Sequence, residues 1–291
     1  MGVKQFNWGK NDIVNIFTFV TSRKEIFEMS NSDYWDQRAK KIGHTGWADK
    51  MIYSYDQLAR VKALTSVISG LQSGKELALD FGTGSGDFLK PLSDVYSKVI
   101  AFDISQEVIK IARTKHKDLK NIEYIQADSI SEIELPVNQF DTILSITVLG
   151  HLLNDGELNK TLDRFYNLLN KNGLVIAMEY MSNNSRPASQ YQRFLTSEEW
   201  EQSFSESGFK LVKTFGFYHP SESPCESFNQ YKRNFLFKSL RKFQSYIPTG
   251  KIFRYYAIKN LKGCLDFFWE GKSDDSIKIM IFKKSEIKNR N

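Results

Sequence analysis

The sequence predicts an α/β fold, doubly wound around a mostly parallel sheet, on three observations. The run Leu77-Ala-Leu-Asp-Phe-Gly-Thr-Gly-Ser-Gly-Asp87 is a short apolar stretch ending in Asp80, with Gly82, Gly84 and Gly86 following at alternate positions. It reads as a buried strand entering a tight turn. Further apolar runs close on acids or turns and alternate with helical patterns, as βαβ units do. The chain also finishes on Ser276-Ile-Lys-Ile-Met-Ile-Phe-Lys283, which alternates or runs apolar as a last strand would.

Taken in order, residues 1–29 form an N-terminal extension without a defined pattern. From Asp33 to Gly70 the pattern is helical except for the loop Gly43-His-Thr-Gly-Trp47. After the glycine run, Phe88 to Tyr96 reads as a helix whose first N–H groups face the turn. Lys98–Asp103 is a second strand ending in an acid, and Ile122–Ser129 a third, ending in Asp128. Phe140-Asp-Thr-Ile-Leu-Ser-Ile-Thr-Val-Leu-Gly-His151 carries the fourth strand, and Lys171–Glu179 the fifth. Thr196-Ser-Glu-Glu-Trp-Glu201 starts a helix, with Thr196 or Ser197 as cap and Glu199 or Glu201 in its first turn. Gly208–Phe217 is the sixth strand, and a long insertion separates it from the last one.

Spacing and charge decide what the glycine turn holds. A dinucleotide fingerprint needs a third glycine at position 87, which is Asp87, and a phosphate loop needs a Lys before Ser or Thr. Asp80 suits a cationic ligand rather than a pyrophosphate. Asp80, Gly82, Gly84 and Gly86 resemble the (D/E)-x-G-x-G-x-G motif of class I S-adenosylmethionine-dependent methyltransferases. The acid ending strand two, Asp128-Ser129 after strand three, F-D-x-I with V-L-x-H in strand four and Lys171-Asn-Gly before strand five continue that resemblance in order, from Leu77 to Tyr180. It implies a Rossmann-like, seven-stranded sheet and S-adenosylmethionine as cofactor. The implied cofactor residues are Tyr34, Arg38, Asp80, Gly82, Thr83, Gly84, Gly86, Asp103, Ile104, Asp128, Ser129 and Ser145. Among them Asp103 would accept both ribose hydroxyls, and Asp128 with its neighbour would reach the adenine amino group. Arg38, one helical turn beyond Tyr34, would pair with the cofactor carboxylate.

On this reading residues 30–218 and 276–291 form the methyltransferase core, and residues 219–275 a helical lid inserted between strands six and seven. Between Pro220 and Lys272 there are ten basic residues against four acids, with aromatic residues interleaved. Three readings stand open: a lid packed on the core with solvated lysines outside, a lid that recognises an anionic acceptor, or one resting on an acidic membrane surface beside a lipid-linked acceptor. Single-stranded nucleic acid also suits basic and aromatic residues. Against it, the N-P-P-Y-type motif of DNA and many protein amino-methyltransferases is missing after strand four, where Ser145-Ile-Thr-Val stands.

Only Cys225 and Cys264 occur, without C-x-x-C spacing, so no disulfide framework or metal site is expected. The apolar run Ile13–Val20 is interrupted and lacks a cleavage site, and no run is long enough to span a bilayer. A cytoplasmic enzyme, with peripheral contact to the inner face of the membrane as an option, is the expectation. The acceptor expected is an oxygen on a small molecule, sugar, glycan or glycan-linked phosphate. A prenylated or lipid-linked acceptor and a non-catalytic S-adenosylmethionine-binding protein are the alternatives. An oxygen acceptor benefits from a base. His151, in the V-L-x-H position, ranks before His44 and His219 for that role, while His116 sits among Lys115, Lys117 and Asp118 and reads as surface.

Overall fold

The computed structural model describes residues 29–47, 50–216 and 276–285. The N-terminal extension up to residue 28, the insertion at 219–275 and His219 within it lie outside the described residues. The chain begins with helices α1 (Asn31–Ile42) and α2 (Lys50–Gly70). It then alternates through β1 (Leu77–Phe81), α3 (Leu89–Ser93), β2 (Lys98–Asp103), α4 (Gln106–Lys115), β3 (Ile122–Gln126) and β4 (Phe140–Ile146). After α5 (Asp155–Leu168) come β5 (Leu169–Met181), β6 (Arg186–Ser189), β7 (Gln192–Phe194), α6 (Ser197–Glu206), β8 (Phe209–Gly216) and β9 (Ser276–Lys284).

Seven strands form one sheet in the order β3-β2-β1-β4-β5-β9-β8, and β6 with β7 form a separate hairpin. The first five are parallel, while β9 runs antiparallel to both β5 and β8. The chain therefore leaves β1 in one direction across the sheet and returns to the other side at β4. In open α/β sheets the crevice at such a switch point, outside the carboxyl ends of the strands, is where ligands bind.

The central strands are covered on both faces, which is why they read as continuous apolar runs rather than alternating ones. One face packs Ala63, Leu64 and Ile68 of α2 and Leu89 and Leu92 of α3 against Ala78, Leu144 and Ile176. The other packs Leu158, Leu162 and Phe165 of α5 and Trp200 and Phe204 of α6 against Leu79, Ile143 and Phe282. Helix α6 begins with a full capping box: Thr196 Oγ1 accepts from Glu199 N and the Glu199 carboxylate accepts from Thr196 N.

Three elements depart from the sequence expectation. The helix expected over 88–96 is α-helical only from Leu89 to Ser93. Strand β3 stops at Gln126, two residues before Asp128, where the chain turns into the 3₁₀ segment Ile130–Glu132 capped by Ser129. The hairpin of β6 and β7 was not expected at all.

Candidate active site

The glycine turn after β1 is built from its own backbone. Gly82 N and Thr83 N both donate to Phe102 O of β2, Gly84 N donates to Asp103 Oδ2, and Gly86 N donates to Thr83 O. Gly82, Gly84 and Gly86 have φ of +72°, +54° and +74°, a region costly for residues with a Cβ. A Cβ on Gly82 would also lie 2.3 Å from Val148 Cγ2. With these N–H groups engaged internally and α3 a single turn, the cradle offers bare backbone surface more than a row of donors. That suits a ligand without phosphates and corrects the expectation of a helix N-terminus facing it.

Two carboxylates stand at the ends of the strands beside this turn. Asp80 is 1% exposed and accepts from Thr83 Oγ1 at 2.6 Å. Asp103 is 8% exposed, its two oxygens accepting from Gly84 N at 2.9 Å and Ser105 N at 3.0 Å. Burial pushes Asp80 up to about 7 and Asp103 up to about 6. Neither is ion-paired with a basic side chain among the described residues.

Helices α1 and α2 close over the turn from the amino-terminal side. Asp36 accepts from Ser105 Oγ and from Glu107 N, tying α1 to the start of α4. Arg38 donates from Nε to Thr45 O and from Nη2 to Gly46 O, so it holds the 43–47 loop in place. Tyr53 of α2 donates to Asp87 at 2.5 Å and meets Ser85 Oγ at 2.9 Å, and Lys115 pairs with Asp87 from α4. Burial alone would raise Asp87, but the Lys115 ammonium and these hydrogen bonds outweigh it and hold the carboxyl below its usual range. His44 is buried, its ring flat against Tyr53 with centroids 3.6 Å apart. His116, read from sequence as surface, is half-buried with its Nε2 2.6 Å from Gly86 O. Its polar neighbours concealed that the end of α4 faces the turn.

On the other side, β4 ends in a sharp turn. Thr147 has φ +54°, rare for a β-branched residue, and leads into the 3₁₀ segment Leu149–His151. His151 lies edge-on to Trp35 of α1 at 5.0 Å, and its Nδ1 sits 2.5 Å from Tyr191 O. A carbonyl only accepts, so Nδ1 carries the hydrogen and Nε2 keeps its lone pair. Burial holds His151 below the usual imidazole value, opposed by the Tyr191 bond. Tyr191, in the turn between β6 and β7, also stacks on Tyr34 at 4.0 Å. This hairpin contact had no signal in the sequence beyond the lone tyrosine.

The remaining expected positions are distributed as follows. Ile104 follows Asp103 and packs partly buried, while Ser129 caps the 3₁₀ turn after β3 and Asp128 is exposed beside it. Ser145 is fully buried in β4, in register with Phe81 of β1, and its hydroxyl has no hydrogen-bond partner among the described residues.

A sheet of this order, with a glycine turn and strand-end carboxylates at its switch point, is the architecture that the resemblance to class I S-adenosylmethionine-dependent methyltransferases implies. Residues 78–173 match the family described as a methyltransferase domain, so the chain carries a domain of that class, with S-adenosylmethionine as its cofactor. It is 26% identical over 181 residues to the ubiquinone/menaquinone biosynthesis C-methyltransferase of Wigglesworthia glossinidia brevipalpis, covering 60% of this chain and 63% of that one. It is also 26% identical over 187 residues to juvenile hormone acid O-methyltransferase of Drosophila melanogaster, covering 62% and 60%. The chain thus spans less than two thirds of the length of both relatives. A solved S-adenosylmethionine-dependent methyltransferase of Leishmania major shares the fold, with a TM-score of 0.55 at 16% identity over 86% of this chain and 91% of that one. The buried acids without a basic partner among the described residues and the glycine turn fit a cationic nucleoside.

The raised carboxylates make a measurable prediction. Asp80 and Glu179 are pushed up to about 7, by burial first. A raised carboxyl keeps its proton in the folded protein where the unfolded chain has lost it, so its contribution to stability falls as pH rises through the folded value. From roughly pH 7 to 8 His116 and His151, lowered by burial, are neutral in the folded protein and mostly so in the unfolded chain, so the carboxyls set the slope. Thermal unfolding of the free protein should therefore show Tm falling across that interval. Asp80→Asn should flatten the slope, and a Tm that is level or rises in the wild type contradicts the assignment.

Proposed function

We propose that the protein transfers the methyl group of S-adenosylmethionine to an oxygen of a small molecule, sugar, glycan or glycan-linked phosphate. The observation that carries this reading is His151, a neutral imidazole with Nδ1–H committed to Tyr191 O, beside the cofactor cradle at the end of β4. Its Nε2 is left to accept the proton of an acceptor hydroxyl. When bound, the cofactor supplies a methyl group on a sulfonium, and in-line alignment with the acceptor provides most of the acceleration.

The chain's own residues divide the holding. Asp103 accepts the ribose hydroxyls with the lone pairs that Gly84 N and Ser105 N leave, and Asp80 offers its charge to the ammonium. Gly82, Thr83, Gly84 and Gly86 form the floor, with Ile104 and Ser145 flanking it, and Asp128 and Ser129 take the adenine amino group. Arg38 has five N–H donors, and those not bound to Thr45 O and Gly46 O or shared with Tyr34 answer the cofactor carboxylate. Tyr34 and Trp35 favour the sulfonium through their ring faces. His44, stacked on Tyr53, ranks behind His151 as the base.

A lipid-linked acceptor is the second reading, supported by the basic, aromatic insertion and by the relative named for ubiquinone/menaquinone biosynthesis. Both are tested by incubating the full chain with metabolite and lipid extracts and methyl-labelled S-adenosylmethionine, then finding the labelled product by mass spectrometry. A label on an oxygen of a water-soluble compound, with no flotation of the protein on acidic liposomes, is expected from the first reading. A labelled lipid with co-flotation supports the second, and no labelled product from either extract contradicts both.

A further inference from the structure

Glu179 lies near the carboxyl end of β5, 1% exposed, and no step proposed above uses it. Its Oε1 accepts from Val148 N at 2.9 Å and Leu149 N at 2.8 Å, and its Oε2 from Gly150 N at 3.4 Å. These are the three consecutive amides of the turn that delivers His151. That turn has no side-chain cap of its own, and Leu149 and Gly150 are buried, so its first N–H groups have no water to turn to. It also follows Thr147 in the left-handed region, a conformation that persists only where its surroundings over-determine it.

The fit is close from both sides. A Cβ on Gly150 would come within 3.3 Å of Glu179 Oε2 and 3.1 Å of Arg193 O, so the residue that lets the turn settle on the carboxylate is a glycine. From α2, Arg60 donates to Thr147 Oγ1 at 3.3 Å and is ion-paired with Asp56 at 2.8 Å, and Asp56 also accepts from Trp47 Nε1 at 3.0 Å. Arg60 thus faces Glu179 from α2 as a charge that favours its ionised form, and Lys278 of β9 stands opposite it in register. One chain of polar contacts, Trp47–Asp56–Arg60–Thr147, runs from the 43–47 loop to the turn after β4.

We propose that Glu179 is the positioning residue of the site: by accepting the amides of Val148, Leu149 and Gly150 it fixes the turn that sets the His151 ring on Tyr191 O. A carboxylate suits the task because both oxygens accept, whereas an amide has one accepting oxygen and would turn an NH₂ toward a third N–H. The importance of this position for methyl transfer rests on His151 acting as the base. The positioning itself does not.

The experiment is imidazole ¹⁵N spectroscopy of the full chain labelled at histidine, with His151 assigned from a His151→Asn variant. In the wild type the His151 ring is expected as a single Nδ1–H tautomer that resists protonation below the usual imidazole range. In Glu179→Gln that single tautomer is lost to a mixture, while calorimetric affinity for S-adenosylhomocysteine is unchanged. Glu179→Asp, which shortens the side chain without removing its charge, serves as the second variant if the glutamine form does not fold, and the same mixing is expected. A ring that stays a single Nδ1–H tautomer in the folded variant overturns the proposal. So does a loss of S-adenosylhomocysteine affinity with the ring unchanged, because it makes Glu179 a brace of the cofactor side. Freed tautomers in Glu179→Gln beside normal turnover in His151→Ala uphold the positioning and defeat the base reading alone.

Discussion

His151→Ala is expected to lower turnover about 10²–10⁴-fold on an oxygen acceptor, with cofactor affinity nearly intact. The expectation follows from where the ring sits. Its Nδ1 is 2.5 Å from Tyr191 O and its edge meets Trp35, so the orientation of Nε2 is fixed before any acceptor arrives. Burial holds its value below the usual imidazole range, so the ring is neutral and able to accept a proton at pH 7. The rate should therefore fall only on the acid side, as the imidazole takes up a proton. Steady-state kinetics on the acceptor found with labelled cofactor checks this. Turnover close to wild type, or a loss confined to the cofactor's KM, removes His151 from the proton transfer.

The parts of the site that could be read from sequence are those set by local backbone. Gly82, Gly84 and Gly86 announce themselves because positive φ leaves few other residues for those positions, and all three have it. The strand ends at Asp80 and Asp103 follow from apolar runs that a sheet covered on both faces requires. Thr196, one of the two caps the sequence offers, closes a capping box with Glu199 three residues on.

What stayed hidden depends on elements brought together from far apart. Glu179 looked like the last residue of a strand, and its meaning comes from the amides of 148–150 folding back over it. Tyr191 lies between strands of four and three residues, too short for an alternating pattern to show. Thr147 runs against the sequence signal altogether, since a β-branched residue argues for continuing a strand and here it turns the chain. Arg60 and Asp56 are spaced as an ordinary helical pair, and nothing local marks them as buried.

On the proposed function, the glycine turn and Asp103 hold S-adenosylmethionine. Isothermal titration of the wild type, Asp103→Ala and Gly82→Val with S-adenosylmethionine and S-adenosylhomocysteine tests it most directly. Removing the Asp103 carboxylate withdraws charge-assisted acceptors worth about 1.5–3 kcal/mol, a loss of about 10- to 150-fold in affinity. Gly82→Val should abolish binding, because φ is +72° there and the added Cβ would come 2.3 Å from Val148 Cγ2. Circular dichroism and Tm measured alongside separate loss of the site from loss of the fold. Expected are binding of both nucleosides by the wild type, at least tenfold weaker binding by folded Asp103→Ala, and none by Gly82→Val. Wild-type protein that binds neither nucleoside, or a folded Asp103→Ala that binds both as tightly as wild type, contradicts it.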